Sequence, residues 1–413
     1  MRNGLISVLD VGTTKICCFV ARSDAGGQGG LRVVGIGHHA ANGLRGGAIV
    51  DMDAAADSIA SAVHAAEQMA GQTIHGVIIN ISGGQPLSHN FSIETTIAGH
   101  EISDGDLHRA FQHGVETHQP KDREIVHSIP ISYSIDGSRG IRDPRGMFGE
   151  RLGVNIHMVS VASGPLWNLT NCVSRCHLEV ENIVLSAYAS GLSALVEDEM
   201  DLGVTCIDMG GGVTSLAVFF DGNMVFTGSV PLGGAHVTSD IARGLSTTMA
   251  NAERMKTLYG NAILSDMDDR DYIDVPPIGE EVHAQPNHVP KSLLIGIIKP
   301  RLEEILEMTR DLLERSGFDK VAGQRVVVTG GASQMQGIRD LAAMILDKKV
   351  RIGKPMHING LAEATGGPSF STCAGLLAYA QQNTAAMPVS ARGWMEKPGD
   401  FFSRLGLWLR ECF

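Results

Sequence analysis

The chain has 413 residues, 43% of them hydrophobic and 19% charged, with a net charge of −12. That length implies two major lobes or three to four subdomains rather than one core, and the composition is that of a folded globular protein. The negative balance argues against a nucleic-acid binder, the seven scattered cysteines lack a Cys-x-x-Cys pair and fit a reducing cytoplasm, no run of 18 apolar residues is present, and no signal peptide is expected.

Near the N-terminus an apolar strand at 5–9 leads into Asp10-Val11-Gly12-Thr13-Thr14-Lys15 and leaves through a second strand at 16–21. A third strand is expected at 31–37. A helix follows from about Asp53, with Ile59, Val63 and Ala66 at helical spacing, and then a buried strand at 76–81. From 83 to 162 the texture changes to half-buried strands (Phe91, Ile93, Thr95, Ile97; Ile125, Ile129, Ile131, Tyr133, Ile135) around one helix at 103–115, a small α+β insert. Helix at 165–175, strand at 183–185 and helix at 187–199 return to the first lobe.

The second lobe opens with the apolar run Gly203-Val204-Thr205-Cys206-Ile207, then Asp208-Met209-Gly210-Gly211-Gly212-Val213-Thr214, then a strand ending at the hairpin turn Asp221-Gly222. Strand 225–230 leads to Pro231-Leu232-Gly233-Gly234. An insert of about 90 residues contains an acidic, proline-rich stretch at 266–290 and a helix at 299–316. The run Arg325-Val326-Val327-Val328 enters a third glycine turn, Thr329-Gly330-Gly331-Ala332-Ser333, and a helix at 371–382 ends the fold.

The order strand, Asp, x, Gly, small residues, strand thus occurs twice, about 200 residues apart, and suggests two similar lobes that each offer a loop to one ligand. A glycine run is either a plain flexible turn or a cradle whose N–H groups converge on an anion. The repeat favours the cradle. A phosphate beside Asp10 and Asp208 needs a divalent cation between the charges, so both aspartates imply Mg²⁺, and Lys15 adds a point charge suited to a polyphosphate. Glu253 and Lys256, three apart on an expected helix, read from the residues alone as a solvated ion pair.

Residues 383–397 read as a polar tether broken by Pro388 and Gly393. As a helix, the following segment gathers Phe401, Phe402, Leu405, Trp408, Leu409, Cys412 and Phe413 on one face, with Arg404 and Arg410 opposite. Such a stripe either docks on the protein's own core or lies in a bilayer interface; large aromatics with flanking arginines after a tether favour the bilayer.

The three strand-to-glycine turns resemble the two phosphate loops and the adenosine loop of the actin/Hsp70/sugar-kinase superfamily. Within it the chain resembles the FtsA family of bacterial actin-like cell-division proteins, through Asp122-Arg123-Glu124-Ile125-Val126-His127, Gly140-Ile141-Arg142-Asp143-Pro144-Arg145-Gly146-Met147, Pro231-Leu232-Gly233-Gly234 and Ala252-Glu253-Arg254-Met255-Lys256. The resemblance runs from about residue 5 to 380 and through the last fifteen residues. It implies an α/β, two-lobed actin-like (ribonuclease H-like) fold, with 1–82 and 163–200 as first-lobe core and 83–162 as its family-specific insert. The second-lobe core would be 201–237 and 324–382, its nucleotide- and partner-binding insert 238–323, the linker 383–397 and the membrane-targeting helix 398–413.

For the site, the resemblance implies ATP or ADP with Mg²⁺ on Asp10, Gly12, Thr13, Thr14, Lys15, Asp208, Gly210, Gly211, Gly212, Val213, Thr214, Gly233 and Gly234, with Glu253 toward the ribose, the Lys256 stem along the purine, and Gly330, Gly331 and Ala332 beside them. It further implies filaments of the chain itself, with Arg142 and Asp143 at the subunit contact or merely pinning a loop. The C-terminal peptide of FtsZ, the tubulin-like ring protein, would bind through Lys299 and Arg301, which otherwise form a solvated basic helix start. The tail would hold the chain to inner-membrane lipids on the cytoplasmic side, where later division proteins join. Ser186-Ala187 stands where many relatives carry a water-orienting Glu-Pro pair, Val213 where a Thr is common and Ser215 where an Asp often stands, so a scaffold with at most weak ATPase activity is expected. The rival classes are a sugar or acid kinase, an Hsp70-type chaperone and a pilus-type actin-like adaptor.

Overall fold

A computed structural model describes residues 5–23, 30–278, 287–356, 358–361 and 363–385. Strands β1 (Leu5–Val11), β2 (Lys15–Ser23) and β3 (Leu31–Ala40) run antiparallel, followed by the small hairpin β4 (Leu44–Arg45) and β5 (Ala48–Ile49). Helix α1 (Met52–Ala70) begins where the Asp51 carboxylate accepts the N–H groups of Asp53 and Ala54, and ends at left-handed Gly71. It lies close against β3, because Gly35 and Gly37 offer no Cβ to the backbone of Ala66 and Ala62. Strand β6 (Gly76–Ile81) joins β1 in parallel.

The insert is a four-stranded antiparallel sheet, β7 (Leu87–Thr96), β8 (Arg123–Ile135), β9 (Ser138–Ile141) and β10 (Arg151–Ala162), in the order β7-β10-β8-β9. Helix α2 (Asp104–Thr117) covers one face and closes a separate small core with Leu107, Ala110, Tyr133, Leu152 and Ile156. Chain and sheet then return to the first lobe with α3 (Ser163–Arg175), β11 (Glu179–Leu185), parallel to β6, and α4 (Ser186–Ala194). The helix expected at 187–199 is broken. The backbone is extended at Leu195, whose side chain is buried in the first-lobe core, and α5 (Glu197–Leu202) restarts with Glu199 accepting the Val196 N–H.

The second lobe repeats the first. Strands β12 (Val204–Met209), β13 (Thr214–Phe220) and β14 (Asn223–Val230) run antiparallel, and Asp221 and Gly222 turn with positive φ at both central positions, as a type I′ hairpin needs. Helices α6 (Gly234–Gly244) and α7 (Met249–Tyr259), the pair β15 (Tyr272–Val275) and β16 (Asn287–Pro290), and α8 (Lys291–Ser316) form its insert. Then come β17 (Arg325–Thr329), α9 (Ile338–Leu346) and β18 (Lys349–Ile352). The two five-stranded sheets have orders β11-β6-β1-β2-β3 and β18-β17-β12-β13-β14, each with three antiparallel strands followed by two parallel ones.

Two expectations are corrected here. Helix α8 starts eight residues earlier than expected and runs through Pro300, so Lys299 and Arg301 lie inside a helix, not at its start. Losing one backbone bond at an internal proline costs about 3 kcal/mol, and burying Leu294, Ile295 and Ile298 at roughly 2 kcal/mol each outweighs it. The final helix α10 (Ser371–Ala385), assigned with the second lobe, packs on the first-lobe sheet: Cys373, Ala374, Leu376 and Leu377 are buried with Val8, Cys17 and Phe19. Gly375 lets it come against the backbone of Ala189 in α4. It also extends to Ala385, inside the span read as tether.

Candidate functional site

The two Asp-x-Gly turns have one geometry. Asp10 and Asp208 are each the penultimate residue of a strand, and in each turn the glycine two residues on donates its N–H to the carbonyl three residues further, Gly12 to Lys15 and Gly210 to Val213, both at 3.0 Å. The loops meet at their tips: a Cβ on Gly211 would stand 2.5 Å from Thr14 Cγ2, and one on Gly212 2.6 Å from Thr13 Oγ1. Thr13 Oγ1 itself accepts the Gly47 N–H at 3.0 Å.

Around this junction lies a cavity of about 970 Å³. The N–H groups of Gly234 and Ala235 donate to the carbonyls of Gly210 and Gly211 at 2.9 and 2.7 Å, which brings the start of α6 to the second loop. On the far wall Lys256 Nζ donates to Glu253 Oε2 at 2.6 Å, Thr238 Oγ1 at 2.8 Å and the Gly234 carbonyl at 3.2 Å. Gly330, Gly331 and Ala332 complete that side; Gly330 has φ +87, and a Cβ on it would collide with Asp208 Oδ1.

Every residue expected at the nucleotide lines this cavity except two. Thr214 is turned away, its hydroxyl donating to the Leu232 carbonyl at 2.9 Å, and the Gly233 N–H is taken by His236 Nδ1 at 3.1 Å. Both lie just behind the lining, where strand alternation and the capping of α6 direct them. Lining residues that the sequence reading did not place at the site include Asn80, Met249 and Thr372. The signal for Asn80 was its polarity inside the apolar strand 77–81.

Both aspartates are buried. Burial pushes the Asp10 carboxyl up to about 7; Lys15 opposes this, Asp208 adds to it and the Asn80 amide opposes it. Burial also raises Asp208, against the hydroxyl groups of Ser190 and Thr372, which donate to its Oδ2 at 2.7 and 3.1 Å. Two neighbouring buried carboxylates are a setting that a divalent cation relieves. Among the described residues no group of three or more His, Cys, Asp or Glu side chains could hold a metal. A Mg²⁺ ion at the aspartates would therefore draw its remaining ligands from water and a phosphate, as that ion commonly does. Lys15 Nζ donates to the Ser369 carbonyl and stands 3.5 Å from the centroid of the Phe370 ring, directly beside the first loop.

The other expected contacts are scattered. Arg142, just after β9, pairs with Asp221 in the second-lobe hairpin, and Asp143 is clamped by Arg145 at 2.6–3.0 Å. Arg301 is held by Asp240 at 2.6 Å and by Glu304, while Lys299 is half-exposed 3.6 Å from Glu303. The expectations for 386–397, and for Phe401, Phe402, Arg404, Leu405, Trp408, Leu409, Arg410 and Phe413, lie outside the described residues.

Against known proteins, the family profile described as "Cell division protein FtsA" matches residues 205–375, and "SHS2 domain inserted in FTSA" matches 83–160. The "Cell division protein FtsA" of Rhizobium meliloti (strain 1021) is 44% identical over 422 aligned residues, which cover 100% of this chain and 96% of that one. The chain belongs to the FtsA family. It is therefore related to cell-division proteins, and its fold is actin-like. A chain of the "PilM-PilN type IV pilus biogenesis complex" superposes with a TM-score of 0.65 at 15% identity, covering 91% of this chain and 98% of that one. MreB5 of Spiroplasma citri bound to ADP gives 0.54 at 15% identity, covering 93% and 99%. At such identity these two likenesses concern the fold alone. Among the described residues no helix is long and apolar enough to cross a membrane.

Proposed function

We propose that this chain clamps a magnesium–adenine nucleotide between its lobes and uses it as a cement or slow switch for self-association. The observation that carries the reading is the duplicated hairpin, whose two glycine turns and two buried carboxylates converge on one cavity. Phosphates would lie against the N–H groups of both loops, with Lys15 leaving the Ser369 carbonyl for the polyphosphate. Asp10 and Asp208 would hold hydrated Mg²⁺, whose charge offsets that of phosphate and carboxylate together. Glu253 and Lys256 would take the ribose and purine beside Gly330, Gly331 and Ala332. MreB5, similar in fold, is bound to ADP, and that supports the same ligand class. Ser186 and Ala187 begin α4 at the cavity wall; without a water-positioning carboxylate there, about 10²–10⁴ in rate is absent, so the nucleotide serves assembly with at most weak turnover.

Family membership supports the rest of the reading. The chain polymerises, with the insert and Arg142 and Asp143 near the subunit contact. It takes the FtsZ C-terminal peptide on the second-lobe insert at Lys299 with Arg301, fastens the ring to the cytoplasmic face of the inner membrane, and gathers later division proteins there. For the tail, seven partly buried apolar side chains at roughly 1 kcal/mol each give about 7 kcal/mol, and ordering a short helix consumes much of it. One copy therefore binds lipid weakly and a filament binds by avidity. Electron microscopy on inner-membrane lipid monolayers with MgATP tests this: filaments with the full chain and bare lipid with a truncation after residue 397 are expected. Filaments on lipid from both would reject the anchor, and Trp408→Glu should likewise leave the protein in the soluble fraction.

A further inference from the structure

We propose that Asn80 is a positioning residue that orients the Asp10 carboxylate for a magnesium-bound phosphate. The proposal rests on the nucleotide reading above.

Asn80 is the penultimate residue of β6, which lies parallel to β1, and it is only 2% exposed. Its side chain crosses to β1 and makes three hydrogen bonds. Oδ1 accepts the Val11 N–H at 2.7 Å, while Nδ2 donates to Asp10 Oδ1 at 2.7 Å and to Ser186 Oγ at 3.0 Å. The backbone N–H can only donate, so it fixes which end of the amide faces it, and both Nδ2 hydrogens are thereby aimed at Asp10 and Ser186. One side chain thus ties together the entry to the first loop, its carboxylate and the first residue of α4.

The arrangement is not a general property of the repeat. The second-lobe strand equivalent to β6 is β17, where Thr329 pairs with Asp208 in register, as Asn80 stands beside Asp10. Thr329 directs its hydroxyl to the Gly353 and Pro368 carbonyls and to Ser371, not to Asp208. Asp208 is instead held through Oδ2 by two hydroxyl groups from α4 and α10. Asp10 receives no other side-chain hydrogen bond among the described residues, so with Oδ1 committed to Asn80 its Oδ2 is the oxygen left for a cation or a cation-bound water. A plain structural stitch would need only the Val11 bond; the donor side of the amide is spent on the carboxylate.

The test is calorimetric binding of ADP to the full chain, with Mg²⁺ and with EDTA, for wild type, Asn80→Ala, Asn80→Leu and Ser186→Ala. Asn80→Ala removes the donor for Asp10 without adding bulk or charge, so it decides the matter if Asn80→Leu does not fold. Outer partners of metal-holding groups are typically worth 10–100-fold in affinity. We expect Asn80→Ala and Asn80→Leu to weaken MgADP at least tenfold, with metal-free ADP within twofold of wild type, and Ser186→Ala to weaken MgADP by less. MgADP affinity unchanged in Asn80→Ala, or equal losses with and without Mg²⁺, would overturn the proposal while leaving the nucleotide reading intact. Wild type that binds neither form of ADP would remove both.

Discussion

Gly12 and Gly210 make the same hydrogen bond in two lobes, each N–H reaching the carbonyl three residues on at 3.0 Å. The turns they close bring Asp10 and Asp208 to one cavity, where each feels burial and Asp10 also feels the charge of Asp208. A site built this way is uncomfortable when empty, because buried carboxylates are destabilising until something positive joins them.

The first prediction follows from the sign of that shift. The Asp10 carboxyl is raised from 3.8 to about 7, so its contribution to stability is fully present below pH 3.8 and is lost as pH rises to about 7. Three units correspond to roughly 4 kcal/mol. In nucleotide-free protein, Asp10→Asn should therefore unfold at higher temperature than wild type at pH 8 and with little difference at pH 4. Scanning calorimetry across that range checks it; a difference independent of pH would contradict it.

Two buried histidines predict the opposite slope. Burial holds His127 at about 3, with His157 adding to the effect, and holds His157 at about 4 against its bond to the Met224 carbonyl, both from an ordinary 6.5. His127 Nε2 accepts the Leu185 N–H, and His157 bridges the insert to Met224 of the second lobe. Depressed folded values mean stability present above pH 6.5 and lost on acidification toward 4, at about 1.4 kcal/mol per unit for each ring. Hydrogen exchange of β8 and β10 should rise over that interval, and His157→Gln should halve the slope.

Lys299 and Arg301 should separate. Arg301 is engaged by Asp240 and Glu304, so Arg301→Glu sets three carboxylates together and should lower the unfolding midpoint as well as FtsZ-peptide binding. Lys299 is half-exposed and pairs only with Glu303 at 3.6 Å, so Lys299→Glu should change peptide affinity with a smaller effect on the midpoint. Fluorescence titration of a labelled peptide beside thermal melts distinguishes them; unaltered binding in both variants would move the peptide site elsewhere.

Gly330→Ala should be costly. At φ +87 an alanine is strained by about 1–3 kcal/mol, and its Cβ would collide with Asp208 Oδ1 and stand 2.6 Å from the Met209 carbonyl. Melting temperature and MgADP affinity should fall together, whereas Gly71→Ala, also at positive φ but in open space, should lower only the former.

What was legible in the sequence was local or repeated. Asp10 to Lys15 and Asp208 to Val213 are short hairpins whose pattern needs no knowledge of the rest of the chain, and their duplication pointed to one cavity. Asn80 and Thr372 were not legible, because their roles arise only when β6 lies beside β1 and α10 beside α4, strands and helices far apart in sequence. The lobe of α10 was misjudged for the same reason: its apolar side chains say that it is buried and not on which sheet. After Lys291 and Ser292 the first turns of α8 read Leu293-Leu294-Ile295-Gly296-Ile297-Ile298, a run without polar side chains that carries no helical period, and Pro300 reads as a stop when packing lets the helix continue.

The most direct measurement is a crystal structure of the full chain grown with MgADP. The account predicts nucleotide between the lobes, with phosphate oxygens at the N–H groups of the loops that begin at Gly12 and Gly210, a hydrated cation against Asp10 and Asp208, and the Lys15 ammonium withdrawn from Ser369. An empty cleft at saturating nucleotide, or nucleotide bound outside the two hairpins, would contradict it.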